Sequence, residues 1–488
     1  MKKKRIYIML IALGYNVSMQ TMEHGRYDGG EYCYRVPNSL SCSIFSDNTQ
    51  RKIVDEFYLK SGGADYEFSF PLENQPFVPF QGTMNFNELR NAFPILKTII
   101  NNNPLTYLDS GATAQMPQSV LDEIVLYYAT YKSNVGRGMY EFAEHATTKF
   151  EEARVKVARF IGAKKEEIVF TSGATASINL VAHIWADYQI NAGDEIVVSE
   201  VEHNANFIPW RQLALKKGAI LKRVPLNEKG IVDVETLQKY LSDKTKLVAI
   251  THQSNILGTV NDIASLAQAA HGVGAKILVD AAQSVVHHLI DVKLLDCDFL
   301  AFSAHKLFGP TGVGVLFIKQ SLFDQCQMCN FGGGIVYFVS PERVEFKPMP
   351  HRLEPGTQPI AQVIGLGAAI DFIEQNINFA QAQEHETVLV HRLADGLLTI
   401  PGITIISPIP APGEHNNMVT FMHDKMHAYD IAECLKEYGI AIRAGYHCAQ
   451  PYHDKFGGSA TIRASFTFYN TLQEVDFLIE SLKKILLV

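Results

Sequence analysis

The stretch Ala301-Phe-Ser-Ala-His-Lys306-Leu-Phe-Gly-Pro-Thr-Gly312 sets one lysine between an apolar run and a glycine-rich turn. Phe299 to Phe302 reads as a short buried strand, and Gly314 to Ile318 as the next. A lysine at a strand end, beside Ser303 and His305, is poorly placed for surface solvation. Desolvation lowers the pKa of such an amine and frees it to condense with a carbonyl as a Schiff base. The chemistry that uses a lysine in this way is that of pyridoxal phosphate, an electron sink for amino-acid reactions. Taken alone, the segment reads equally well as a lysine that caps a loop.

Upstream, Ala275-Lys-Ile-Leu-Val-Asp280-Ala-Ala-Gln283 reads as another buried strand ending in a carboxylate. A pyridoxal enzyme needs an acid against the pyridine nitrogen, and open α/β sheets place ligand groups at the carboxyl ends of their strands. Gln283 can donate to a phenolate oxygen. By itself Asp280 is as good a helix N-cap. Asp280 and Lys306 together, each ending a strand one βα unit apart, are far more specific.

A phosphate calls for a helix N-terminus. Glu167 to Thr171 is strand-like, and Ser172-Gly173-Ala174-Thr175-Ala176 opens a helix through Ile178, Leu180 and Val181. Gly173 lets the backbone approach an anion, Thr175 adds a hydroxyl, and Ser303 and His305 offer further donors. His203, after the strand Glu195 to Val198, is placed to lie flat on a pyridine ring or to be an ordinary loop histidine. Asn255 stands just past the apolar run Leu247 to Ile250.

Six motifs now stand in order: Leu108-Asp-Ser-Gly-Ala-Thr113, Thr171-Ser-Gly-Ala-Thr175, Val201-Glu-His-Asn-Ala-Asn206, Val279-Asp-Ala-Ala-Gln283, Ser303-Ala-His-Lys306 and Arg443-Ala-Gly-Tyr-His-Cys448-Ala-Gln-Pro451. From about Met84 to the C-terminus the chain resembles the pyridoxal-phosphate-dependent cysteine desulfurases, in the SufS-like branch that includes the selenocysteine lyases. The resemblance implies a fold-type I α/β architecture: a large domain with a mostly parallel, seven-stranded-type sheet and a smaller α+β C-terminal domain. It implies that Lys306 carries the cofactor and moves the substrate Cα proton. Asp280 would pair with the ring nitrogen, Gln283 with the phenolate oxygen, and His203 would stack on the ring. Gly173, Ala174, Thr175, Ser303 and His305 would seat the phosphate, with Thr357 of Glu354-Pro-Gly-Thr357 reaching it from a second subunit. Arg463, with Asn255 and Ala112, would hold the substrate carboxylate, for which a guanidinium fork is well suited.

Cys448 separates this reaction from that of other pyridoxal enzymes, because desulfuration needs a thiolate that takes the sulfur as a persulfide. It follows Arg443 and sits beside His447, and nearby cations favour a thiolate. The bland alternative is a small buried hydrophobe. The implied substrate is L-cysteine, with L-selenocysteine as a second one. The implied partners are a second copy of the chain and an acceptor protein of SufE or SufU type, serving iron–sulfur cluster assembly in the cytoplasm. Two other readings stay open: a different class-V enzyme, such as an aminotransferase or lyase, and a weakly catalytic sulfur-transfer scaffold. The chain departs from the family at Gly136, Tyr140 and Tyr446, where relatives usually carry histidine, and at Ala174, where threonine is frequent. The lost imidazoles fall near the implied substrate mouth and sulfur relay.

The rest of the sequence agrees with an ordinary globular enzyme. The net charge is −8 with no basic stripe, which argues against a nucleic-acid partner. Seven scattered cysteines suit a reducing compartment better than a disulfide framework. The lone pair Cys326-Gln-Met-Cys329 is more simply incidental than a metal site, and no metal is expected. Strand and helix patterns alternate from about Ile168 to Ile318, and Val260 to His271 reads as one crossover helix. Helix-rich sequence after about Ala361 leads into strand-like Val419 to His423 and Thr461 to Thr467. The expected division is an N-terminal extension over 1–83, a large cofactor domain over 84–360 whose N-terminal segment contributes to the small domain, and a small C-terminal domain over 361–488 that carries Cys448. Met1-Lys-Lys-Lys-Arg5 and the apolar run Ile6 to Leu13 resemble a truncated leader too short to span a bilayer. Tyr27 to Gln50 has the composition of a loop or disordered segment.

Overall fold

The computed structural model describes residues 75–487 and, upstream, two short strands, Glu23–His24 and Tyr34–Arg35, paired antiparallel. Contacts separate residues 1–69 from 70–488 as two compact units. Apart from that strand pair, the leader-like and loop-like segments of the first unit lie outside the described residues. In the second unit Phe77 packs edge-on against Phe160 and the Gln75 carbonyl accepts from Arg159, so ordered packing begins upstream of Met84.

Seven strands form the central sheet: β1 (Ile168–Thr171), β2 (Glu195–Ser199), β3 (Ile220–Val224), β4 (Thr245–Thr251), β5 (Lys276–Asp280), β6 (Phe299–Ser303) and β7 (Gly314–Ile318). Their order is β1-β7-β6-β5-β4-β2-β3. β7 alone runs against its neighbours, and the other four pairings are parallel. Alternate residues of β5 and β6 enter two different cores. Ile277, Val279, Leu300 and Phe302 face one, while Leu278, Phe299 and Ala301 face the other. Both faces are therefore covered, which is why these strands read as unbroken apolar runs.

Three details differ from the sequence reading. No helix joins β5 to β6; the connection holds only a 3-10 turn at Ser284–Val286. The helix expected from Val260 spans Ile263–Gly272, because the Asp262 side chain caps it by accepting from the Ser265 amide. Val260 instead bridges Gln253. The strand expected over Thr461 to Thr467 stops at Ser465, where Phe466 bonds Asn417 and Asn470 captures the Thr467 amide.

Around the central sheet pack α1 (Glu141–Phe160), α2 (Ala174–Val181), α3 (Asn204–Lys217) and α4 (Ile263–Gly272). Further along, α5 (Ile360–Asn376) lies on α1, and α6 (Phe379–Leu398) leads to a second, four-stranded antiparallel sheet. Its strands are β8 (Ile403–Ile405), β9 (Met418–His423), β10 (Arg443–Gly445) and β11 (Thr461–Ser465), in the order β8-β9-β11-β10. A separate core fills it, drawn from Leu389 and Leu393 of α6 and from Leu478 and Leu482 of α7 (Leu472–Leu486). A capping box, with Thr471 and Glu474 each bonding the other's backbone amide, starts α7.

One buried ion pair ties the motif Glu354-Pro-Gly-Thr357 to β1. Glu354 takes both terminal nitrogens of Arg154, at 2.7 and 2.9 Å, and its Oε1 also accepts from the Phe170 amide. Arg154 also holds Glu151 through its Nε at 2.9 Å, so removing the Glu354 charge leaves the guanidinium half matched and costs less than the about 3–5 kcal/mol of a fully broken buried pair. Glu354→Gln is therefore expected to lower the denaturant midpoint of unfolding by a corresponding amount; an unchanged midpoint would contradict the pairing.

Candidate active site

Lys306 sits in the 3-10 turn Ala304–Lys306 at the carboxyl end of β6, and Asp280 ends the adjacent strand β5, in register with Ala301. Burial pulls the Lys306 amine down to about 8, against the opposing pull of Asp280. The same lack of water pushes the Asp280 carboxyl up; an N–H bond from Ala282 at 3.0 Å and the charge of Lys306 partly offset this. The N-cap geometry expected of Asp280 is thus present as a tight turn, without a helix. With cofactor-free protein, covalent uptake of pyridoxal phosphate is expected to accelerate as pH rises, because only the neutral amine attacks a carbonyl. The midpoint should fall near 8, well below the ordinary lysine value of 10.5. Stopped-flow absorbance would show it, and a midpoint near 10.5 would contradict the desolvated setting.

The loop after β1 runs beneath this pair. Gly173 has φ of +154°, and a Cβ on Gly314 would lie 2.4 Å from the Gly173 Cα, so the loop rests directly on β7. The Ala174 amide donates to the Ser303 hydroxyl oxygen at 2.8 Å, which leaves the Ser303 hydrogen free for another acceptor. Thr175 is exposed at the start of α2. His305 faces Thr113: the Thr113 hydroxyl donates to the His305 carbonyl, so its oxygen accepts from His305 Nδ1 at 3.2 Å. Burial and the Lys306 charge draw His305 down to about 4. His203 caps α3 by accepting from the Ala205 amide through Nδ1, and burial together with Lys306 and Arg463 lowers it to about 4. It is a neutral ring at physiological pH. Thr357 lies exposed in the loop ahead of α5.

The second sheet supplies the opposite wall. Arg463 on β11 is buried; its Nη1 donates to the Asn255 carbonyl at 2.8 Å and its Nη2 to Asp109 at 3.1 Å. Its Nε–H is buried without a protein partner. Gly111 lies against the guanidinium, where a Cβ would stand 3.1 Å from its Cζ. The Gly111 carbonyl accepts from Gln283, and its amide donates to Ser465. Ala112, the next residue, is half-buried, and its amide donates to the Asp109 carbonyl.

Cys448 is exposed in the loop after β10. Both His447 and Cys448 hold left-handed backbone, with φ of 48° and 55°. Two bonds fix this costly turn: Asn255 donates to the His447 carbonyl at 2.7 Å, and the Asn204 amide to the Cys448 carbonyl at 2.7 Å. The charges of Lys306, Arg443 and Arg463 each interact with Cys448. The expectation that His447 is one of the neighbouring cations needs correction. Burial and the adjacent Arg463 hold its imidazole neutral, down at about 2.

Asp109 received no role from the sequence, although it stands inside the first motif. It bridges Arg443, at 2.6 Å, and Arg463, which face each other across β10 and β11. Glu202, behind His203, was also missed. It accepts from Ser199, Asn206 and the Thr251 amide, and burial raises it to about 8. Gly136 and Tyr140, where histidines were expected by resemblance, are both exposed. A groove of about 420 Å³ between α2 and α3 reaches Thr175 and His203 but runs away along Ala182, Ile208 and Leu213. Lys306 and Asp280 do not line it, so the groove is not where the chemistry converges.

The class-V aminotransferase family profile matches residues 106–478. A probable cysteine desulfurase of Halalkalibacterium halodurans is 44% identical over 402 residues, covering 82% of this chain and 98% of that protein. A cysteine desulfurase of Escherichia coli O9:H4 is 41% identical over 405 residues, covering 83% and 98%. This chain belongs to the cysteine desulfurase family of class-V aminotransferases. Among solved structures, the apo cysteine desulfurase of Thermococcus onnurineus NA1 superposes with a TM-score of 0.78 at 36% identity, covering 83% of this chain and 98% of that one. The Escherichia coli desulfurase CsdA, in an S-sulfonic acid form, gives 0.76 at 36% identity over the same shares.

The family is pyridoxal-phosphate-dependent, and so is this chain. Its residues fit that cofactor: a desolvated amine, a buried carboxylate on the next strand, a neutral imidazole and a glycine loop at a helix start converge on one strand edge. No helix among the described residues is long and apolar enough to cross a membrane.

Proposed function

We propose that this protein removes sulfur from L-cysteine, releases L-alanine and holds the sulfur as a persulfide on Cys448. The observation that carries this reading is the approach of two sites with different tasks. Lys306 and Asp280 end neighbouring strands of one sheet, while Arg463 and the Cys448 loop come from the other, linked by Asn255 and Asp109.

Each residue then has a task set by its chemistry. Arg463 receives the substrate carboxylate, using the Nε–H that lacks a protein partner and the geometry that Asp109 and Asn255 impose. Asn255 and Ala112 border that carboxylate. Bound pyridoxal phosphate supplies an electron sink at the substrate Cα. Lys306, with its lowered pKa, takes the Cα proton and later returns one. Asp280 holds a proton at the ring nitrogen, Gln283 bonds the phenolate oxygen and His203 covers the ring face. Gly173, Ala174, Thr175, Ser303 and His305 seat the phosphate. Thr357 completes that seat across a homodimer. Cys448 attacks the substrate sulfur as a thiolate under the field of Arg443 and Arg463.

The persulfide passes to a small acceptor of the SufE or SufU type in the cytoplasm, and L-selenocysteine is a second substrate. Alanine and sulfide released from L-cysteine, measured with and without such acceptors, test the reading. Acceptor-stimulated release of alanine is expected; a protein that turns L-cysteine into other products, or only transaminates it, would overturn it.

A further inference from the structure

Beside Cys448 lies a small network that the desulfuration reading does not use. Its centre is the Thr461 hydroxyl on β11, on the same strand face as Arg463. His447 Nε2 lies 2.9 Å from that oxygen and His453 Nε2 3.1 Å. His453 belongs to the short helix Gln450–His453 that follows the cysteine, and both rings are buried.

The proton positions follow from the partners. His453 Nδ1 lies 3.2 Å from the Ala449 carbonyl, which only accepts, so Nδ1 carries the proton. Burial keeps His453 neutral, so its Nε2 is an acceptor; the Thr461 hydroxyl donates to it at 3.1 Å in preference to the Gly445 carbonyl at 3.4 Å. The Thr461 oxygen in turn accepts from His447 Nε2–H. The chain of bonds therefore runs from His447 through Thr461 to His453 and ends on Ala449. It grips His447 and Ala449, on either side of Cys448, and so brackets the left-handed pair His447–Cys448.

The ring of Tyr446 packs edge-on against His453, with centroids 5.4 Å apart.

We propose that His453 is a positioning residue for the sulfur-accepting loop: through Thr461 it fixes the His447 ring and, with it, the turn that presents Cys448. The proposal rests on the reading of Cys448 as the sulfur acceptor. Without this tie the turn keeps only the Asn255 and Asn204 bonds to its carbonyls, and misplacement of the thiol by a fraction of an ångström to an ångström costs one to two orders of magnitude in rate.

The test uses the holoenzyme and four variants: His453→Leu, Thr461→Val, the two combined, and His453→Gln, whose side-chain oxygen can still accept from Thr461. In a single turnover with L-cysteine, His453→Leu and Thr461→Val are each expected to slow persulfide formation about tenfold, with KM and cofactor absorbance kept. The double variant should be no slower than either single one, because both break the same tie. His453→Gln should recover much of the rate. Alkylation of Cys448 by iodoacetamide gives the second readout. Its rate at one fixed pH should shift by a similar factor in His453→Leu and Thr461→Val, as the thiol leaves the place the turn gives it, and return towards the wild-type rate in His453→Gln. Wild-type turnover and alkylation rate in His453→Leu, or losses that add in the double variant, would overturn the proposal. If the wild-type enzyme forms no persulfide, the desulfurase reading fails instead, and the alkylation rates still decide whether His453 holds the loop.

Discussion

Cys448→Ala keeps the folded, yellow protein and loses desulfuration of L-cysteine, by on the order of 10³-fold or more, as expected for removal of a nucleophile. The retained colour follows from position. Cys448 is exposed on a loop of the second sheet, while Lys306 and Asp280 belong to the first. Its backbone contacts run through carbonyls that any residue supplies, so alanine leaves the Asn204 and Asn255 bonds available. Cofactor absorbance and alanine release, measured on the same sample, give the result. Full turnover of L-cysteine by the variant would remove the persulfide role from Cys448.

Lys306→Ala has the opposite signature. The absorbance of covalently held cofactor disappears, and turnover falls by a comparable or greater factor, because both the attachment point and the group that moves the Cα proton are lost. The fold should remain: Lys306 makes no side-chain hydrogen bond that anchors the turn, whose backbone ties run from Ala304 to Leu307 and Gly309. An unchanged absorption band in this variant would refute the assignment. The two variants thus divide the reaction between its two halves, one colourless and one coloured, and neither result can be mistaken for unfolding if circular dichroism is retained.

Much of this was legible in the sequence, and for a physical reason. Buried strands that are covered on both faces appear as apolar runs, and polar residues at their carboxyl ends then stand out as ligand candidates. Asp280 and Lys306 were visible in this way. What the sequence hid was partnership across long separations. Asp109 reads as one more loop carboxylate until β10 and β11 bring Arg443 and Arg463 to it. The neutrality of His447 was equally invisible, because adjacency to a cysteine suggests a cation whereas burial beside Arg463 forbids one. The crossover between β5 and β6 was misjudged because spacing suited a helix, but residues 281–298 need only a 3-10 turn to return the chain.

The facing pair of Arg443 and Arg463 across β10 and β11, with Asp109 between them, has a wider consequence. Under the proposed roles, the grip on the incoming amino acid and the loop that receives its sulfur are mounted on two neighbouring strands. A movement of that sheet relative to Lys306 would shift donor and recipient together. The span between grip and recipient is then internal to one strand pair and the loop it carries, whereas the span from either to the proton-moving amine crosses from one sheet to the other.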